Sequence, residues 1–352
     1  MILYLAIAGS CAEQEANAVT TVNPNLYNLA SVKAIHETAG NNAVGINFNA
    51  GAANSAWMTG MQVIGTDMYI SNRGNGNSFD SNHVFFSKLP ISSTGTGAVV
   101  RQNPAGAGAG LLNSCDGFGL DSTETKIIIA DFHGNRISSG TLSQSGSSLT
   151  FSPTGRALAG GGGVRYARWN ADGSGYYFGY GQSNGLSVIK QYAVSTANYV
   201  VERNDTFVGS IQLSHNLISD LIFNPNGTKM YVSQHTGYIY EYDLSIAYDI
   251  TSGTLITTFD LTSFYGNEGT SPWRPTNNTG TTPWLSGISW NDDGSKLYAI
   301  SLWGMTEQSK VSGTVGPATL TNADFTGGHD GVDSNGSKYR TNTMPVIEFR
   351  VQ

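Results

Sequence analysis

The residues best suited to chemistry are few in this chain and widely spaced. Six histidines stand at His36, His83, His133, His215, His235 and His329. A zinc-type centre needs two or three of them converging with a carboxylate. His133 and His235 each follow the second strand of a similar unit, so both are expected on one face. There they would form either a metal or substrate rim or a pair of turn-forming polar residues, and the second reading is the one carried forward. The acids that by type could help to hold a divalent ion include Asp116, Asp121, Asp220 and Glu268. Asp116 and Asp220 stand near the start of comparable strands, but no complete ligand set assembles around them. Arg165, Arg168, Arg203 and Arg274 share no register, which argues against a site built to grip an acidic substrate. Asp330, Asp333 and Asn335 offer oxygen ligands of the kind Ca2+ takes, without the spacing of an EF-hand loop. An Asp/Asn-rich turn is the preferred reading, and no cofactor other than Ca2+ is suggested.

Other motifs carry less. Cys11 and Cys115 belong to no CxxC pair, and two unpaired thiols are expected. The glycine runs at 106–110 and 160–163 lack the Gly-Lys-Ser/Thr ending of a phosphate loop. Four N-x-S/T matches, at Asn204, Asn226, Asn277 and Asn335, are what a chain this rich in Asn, Ser and Thr gives by chance. The segment 264–285 stands out more. It gathers Tyr265, Trp273, Arg274 and Trp284, with Trp303 following on the next hairpin. Large aromatics on an extended loop supply contact area at low entropic cost, as binding surfaces do. These five residues are the candidate ligand-binding set, against the alternative of an aromatic plug that covers its own sheet. No catalytic residues are assigned.

These side chains must be positioned by strands. The 352 residues include 44 glycines and only 12% charged residues, with a net charge of −7. That composition excludes a coiled coil or long helical bundle and the basic footprint of a nucleic-acid binder. One unit recurs: an apolar strand, an Asn/Asp-Gly turn, then Lys and a Tyr-rich strand. Asp220-Leu-Ile-Phe-Asn-Pro-Asn-Gly-Thr-Lys-Met-Tyr-Val is the clearest copy. Gly287-Ile-Ser-Trp-Asn-Asp-Asp-Gly-Ser-Lys-Leu-Tyr-Ala and Ala167-Arg-Trp-Asn-Ala-Asp-Gly-Ser-Gly-Tyr-Tyr-Phe follow it closely. Weaker copies begin at Gly60 and Gly117, and a sixth is read at 333–339. The turn positions are Gly65, Thr123, Gly173, Gly227, Gly294 and Gly336. Asn-Gly and Asp-Gly tolerate positive φ and close hairpins. A third strand often follows, as at 238–244 and 344–351, and a further strand precedes each unit, as at 207–213 and 255–261. Four antiparallel strands in ~40–60 residues is the pattern of a propeller blade.

The wording Gly-Thr-Lys-Met-Tyr-Val-Ser, with His-Thr-Gly after it, resembles the YVTN-type, WD40-like β-propeller repeat. It also resembles repeats of phage structural and bacterial surface proteins. The resemblance covers residues 40–352 and implies an all-β propeller. Six blades fit best, with five or seven open. Residues 2–8 are expected to form a strand that pairs with 346–351 and closes the ring. The organisation expected is 1–40 as a docking and closure segment and 41–352 as one propeller domain. Fold alone does not define function. The class expected is a non-enzymatic virion component, a tail or capsid decoration or adhesin, with other virion proteins or a host glycan as partners. No nucleic acid or membrane insertion is expected. The alternatives are a secreted or cell-surface binding propeller and a metal-dependent lactonase-like hydrolase. The first nine residues lack a positive n-region, the first lysine being Lys33. A strand is therefore read there rather than an export signal, and a virion setting fits.

Overall fold

A computed structural model describes residues 26–34, 45–47, 58–72, 84–90, 98–101, 115–132, 134–146, 148–158, 163–181, 186–194, 198–215, 217–261, 285–301, 330–332, 338–340 and 343–351. These residues are almost wholly β. They form four-stranded, mainly antiparallel sheets, an architecture compatible with a propeller.

Sheet I holds Met58–Ile64, Asp67–Asn72, Val84–Pro90 and Ala98–Arg101. Sheet II holds Gly117–Leu120, Lys126–Asp131, Arg136–Ser145 and Ser148–Leu158. One parallel bridge, Ser148 to Val99, joins their fourth strands. Sheet III holds Val164–Trp169, Gly175–Gly181, Ser187–Ala193 and Thr206–Leu213, and sheet IV holds Ile218–Phe223, Lys229–Gln234, Tyr238–Leu244 and Gly253–Asp260. Sheet V runs Leu285–Trp290, Lys296–Ser301, Thr343–Val351, and then takes Val32–Ala34 from the other end of the chain. The first strands neighbour one another in cyclic order, I to II to III to IV to V and back to I.

The strand read ahead of each sequence unit therefore completes the preceding sheet. Thr206–Leu213, for example, pairs with Ser187–Ala193. The N-terminal strand that meets the chain's end is Val32–Ala34, with Val32 opposite Val351 and Ala34 opposite Phe349. The strand expected at 2–8 lies outside the described residues. Gly45–Asn47 also pairs with the final strand, at Thr343, Met344 and Pro345. The segment read as a sixth copy falls between the second and third strands of sheet V, which pair directly. Around that segment, Asp330–Val332, just ahead of it, and Lys338–Arg340, overlapping its end, form a separate two-stranded ladder. Among the described residues no helix is long and apolar enough to cross a membrane.

The cores lie between sheets. Tyr231 and Ile239 of sheet IV pack with Ile288, Trp290 and Leu297 of sheet V, under Leu29 and Phe349. Tyr166, Tyr177 and Ile189 of sheet III pack with Leu221, Met230 and Val232 of sheet IV. Each sheet is thus apolar on both faces near the axis, and its short strands read as nearly continuous apolar runs.

Candidate functional site

The first strands carry a recurrent β-bulge. Register slips between Met58 and Gly60, Val164 and Tyr166, Ile218 and Asp220, and Leu285 and Gly287. A bulge re-aims the residues beside it. At the residue after each slip, sheets I and V have Gly60 and Gly287, sheet III Tyr166 and sheet IV Asp220. Gly117 begins the equivalent strand of sheet II. The glycines are a packing requirement: a Cβ on Gly117 would lie 2.6 Å from the Arg165 carbonyl oxygen, and one on Gly287 2.7 Å from the Met61 nitrogen. Close approach of these strands leaves one side chain to fill the axis.

That side chain is Arg168. Its Nε donates to the Leu221 carbonyl at 2.8 Å. Nη1 donates to the Phe118 carbonyl and to Gln62 Oε1. Nη2 donates to the Met61 carbonyl at 2.9 Å and to both Asp220 oxygens, at 2.8 and 2.7 Å. A guanidinium has five N–H donors, and all five are engaged. Asp220 in turn accepts from the main-chain N–H of Leu221 and of Ile288. One buried ion pair of sheet III and sheet IV residues therefore bonds to the first strands of all five sheets. Gly119 makes room for it, since a Cβ there would lie 2.9 Å from the Arg168 Cα. Burial pushes the Asp220 carboxyl up to about 6, against the opposing pull of Arg168 and the two main-chain donors.

Above this pair, on the side of the first-to-second-strand turns, a cavity of about 300 Å³ opens. Its wall includes Gln62, Leu120, Ile222, Trp169 and Trp290, and its rim includes Asp121, Asn170, Asn224, Asn291 and Asp292. The three asparagines begin identical turns. Their Oδ1 atoms accept from the N–H of Gly175, Lys229 and Lys296 at 2.9 Å. Their Nδ2 groups donate to Ser174, Thr228 and Ser295 hydroxyls. The turn glycines Gly173, Gly227 and Gly294 sit at φ of 70°, 70° and 71°, as the Asx-Gly sequence requires. In sheet II the positive-φ residue is Glu124 rather than Thr123.

Each of these three turns is clasped by a tyrosine that the sequence reading overlooked. Tyr199, Tyr248 and Tyr27 lie over Gly173, Gly227 and Gly294, leaving no space for a Cβ. Their hydroxyls donate to the carbonyls of Ala171, Pro225 and Asp292. All three tyrosines adopt left-handed φ, between 53° and 64°, a strained choice for this residue type. Burial and the nearby Asp292 and Asp293 push the Tyr27 hydroxyl up to about 12, so it remains a donor. Two residues after each tyrosine comes a buried aliphatic: Val201, Ile250 and Leu29. The sequence signal was the spacing Tyr-x-Val/Ile/Leu ahead of a fourth strand, present at 27–29, 199–201 and 248–250.

The earlier candidates are placed as follows. Asp121 forms a turn, accepting from the N–H of Thr125 and Lys126. Asp116 accepts from the Phe132 N–H. Asp220 is held by Arg168, the arginine set aside for lack of register. Lys126 and Lys229 hold equivalent places, each entering the second strand after its turn. His235 therefore aligns with Phe132 rather than with His133, a one-residue correction to the expected equivalence; His133 itself lies outside the described residues. His215 stacks on Tyr240 with centroids 3.6 Å apart. Cys115 is free and buried, while Cys11 lies outside the described residues. Asp330 stands opposite Arg340 in the small ladder. Asp333, Asn335, Glu268 and the whole aromatic set Tyr265, Trp273, Arg274, Trp284 and Trp303 lie outside the described residues. Among the described residues no group of three His, Cys, Asp or Glu side chains is arranged to hold a metal ion.

No protein-family model matches the sequence, and a search of curated proteins returns no match. Among solved structures, the fold is similar to a chain in a crystal structure of a nidogen/laminin complex. The identity is 11%, the TM-score 0.40, and the alignment covers 70% of this chain and 73% of that one.

Proposed function

We propose that the chain is a five-bladed propeller of the YVTN-like kind that works by binding, not by catalysis. The observation that carries this reading is the Arg168–Asp220 pair. A propeller hydrolase needs an axial acid free to hold a metal or move a proton, and here that acid is spent on Arg168 and two main-chain N–H groups. Every donor of the arginine is likewise spent on structure. The pair acts as a pin through five first strands, which suits a rigid platform for loops.

The platform reading extends the virion setting expected from the sequence: a tail or capsid component, or an adhesin, that meets protein or host glycan through Tyr265, Trp273, Arg274, Trp284 and Trp303. Mass spectrometry of purified particles tests the setting. Trp273→Ala and Trp284→Ala test the surface, with reduced partner binding expected at an unchanged melting temperature. Stoichiometric divalent metal, or lactone hydrolysis abolished by Asp220→Asn, would overturn the non-enzymatic reading.

A further inference from the structure

We propose that Asn226–Gly227 is a latent site of spontaneous deamidation and that Tyr248 is the residue that keeps it closed.

An Asn-Gly pair rearranges readily because glycine puts no Cβ in the way. The Gly227 nitrogen would attack Asn226 Cγ, the bond from Cγ to the carboxamide nitrogen would break, and ammonia would leave behind a cyclic imide. Water then opens the imide at either carbonyl, to aspartate or to isoaspartate. The turn holds one reactant ready. The Thr228 N–H and hydroxyl both donate to Asn226 Oδ1, at 3.1 and 2.7 Å, which polarises the carbon to be attacked. The other reactant is held back. The Gly227 N–H donates to the Asn224 carbonyl at 3.0 Å. Forming the imide means giving up that bond and swinging the peptide toward Cγ. The Tyr248 ring bars the swing, lying so close over Gly227 that no Cβ would fit between them. Its hydroxyl is fixed on the Pro225 carbonyl at 2.6 Å.

The equivalent turns show why the chemistry singles out this one. Asp172–Gly173 and Asp293–Gly294 have the same positive-φ glycine under the same clasp. The Ser174 and Ser295 hydroxyls, with their N–H groups, hold Asp172 and Asp293 below the usual carboxylate range. An ionised carboxylate is a poor target for a peptide nitrogen. Asn226 alone of the three presents a neutral, polarised acyl group. The comparison also separates the two products. Aspartate at 226 would repeat what stands at 172 and 293, whereas isoaspartate would add a methylene to the main chain inside a tight turn.

The test is site-resolved peptide mass spectrometry of the full chain kept in mildly alkaline buffer, with isoaspartate scored separately. In the native chain Asn226 is expected to deamidate at least about a hundredfold more slowly than in the same chain unfolded in urea, since the reaction must wait for the turn to open. Tyr248→Ala should speed it about tenfold over native, the equivalent of ~1.4 kcal/mol in that opening. Tyr199→Ala removes the matching clasp from sheet III and should leave Asn226 at the native rate. Equal rates in native and unfolded chains would overturn the proposal, and that comparison needs no variant to fold. A folded Tyr248→Ala chain that deamidates no faster than native would overturn it as well. So would equal acceleration by Tyr199→Ala, because the effect would then be a general loosening rather than loss of one clasp.

Discussion

The two ends of a single sheet differ more than any two sheets do. In sheet IV the first strand, Ile218–Phe223, is buried along nearly its whole length, and its Asp220 is 1% exposed. The fourth strand, Gly253–Asp260, carries Leu255 at 47% and Ile256 at 53% exposure. Sheet III repeats this, with Phe207 and Val208 about half exposed on its fourth strand. Both outer pairs sit where the register slips, Tyr192 to Phe207 and Tyr242 to Leu255. A bulge at an outer edge disturbs the row of free main-chain groups that would template another strand. A bulge at the axis has the opposite use and packs five strands tightly around one ion pair. One local device excludes a neighbour at the rim and admits five at the centre. The surroundings decide which.

This contrast can be broken most severely at its seam. Truncation of residues 1–34 removes the fourth strand of sheet V, the Tyr27 clasp and Leu29. The Leu29 N–H donates to the buried Glu241 at 2.7 Å. Loss of most of the cooperative unfolding transition is expected by calorimetry, ahead of any effect on assembly. Next comes Arg168→Met. It strands a buried carboxylate and the carbonyls of Met61, Phe118 and Leu221, and should cost about 3–5 kcal/mol in urea unfolding. Gly227→Ala follows, with a strained φ and a Cβ driven into the Tyr248 ring. About 2–4 kcal/mol is expected, whereas Gly65→Ala, at φ 57° but with open space around it, should cost only about 1 kcal/mol. At the rim, Leu255→Thr should change stability by less than about 0.5 kcal/mol. If rim and axis variants cost alike, the contrast fails.

The axial pair also has a pH signature. The folded-state pKa of Asp220 is raised from 3.8 to about 6 by burial. The folded chain therefore holds a proton there in a range where the unfolded chain has released it. Stability from this group is fully present below about pH 4 and declines as pH rises to about 6. Subtracting the Asp220→Asn stability profile from that of the native chain isolates the trend. A flat difference over that window would show that the pair titrates outside it.

Much of the fold was legible because hairpin chemistry is local. Asn224-Pro-Asn-Gly and Asn291-Asp-Asp-Gly announce a positive-φ glycine, and the structure places Gly227 and Gly294 there. The third strands, read at 238–244 and 344–351, were legible by alternation and β-branched content, and the structure has them at Tyr238–Leu244 and Thr343–Val351. The sheet to which a fourth strand belongs was not, because hydrogen bonding runs back to the preceding unit and leaves no mark on either strand. The axial pair was missed for a related reason. Arg168 and Asp220 do not occupy the same repeat position; they meet because strands from different sheets converge, with Gly119 leaving the space.

Turn chemistry and apolar runs were therefore enough, by themselves, to determine the repeat, the all-β class and the tight hairpins, since φ preference and alternation act over a few residues. The tertiary structure alone decided that Val32–Ala34 completes the last sheet, that Tyr27 clasps a turn more than 260 residues away, and that one arginine fills the axis. Those outcomes depend on which surfaces meet once the sheets pack, and no short-range preference encodes a meeting between distant strands.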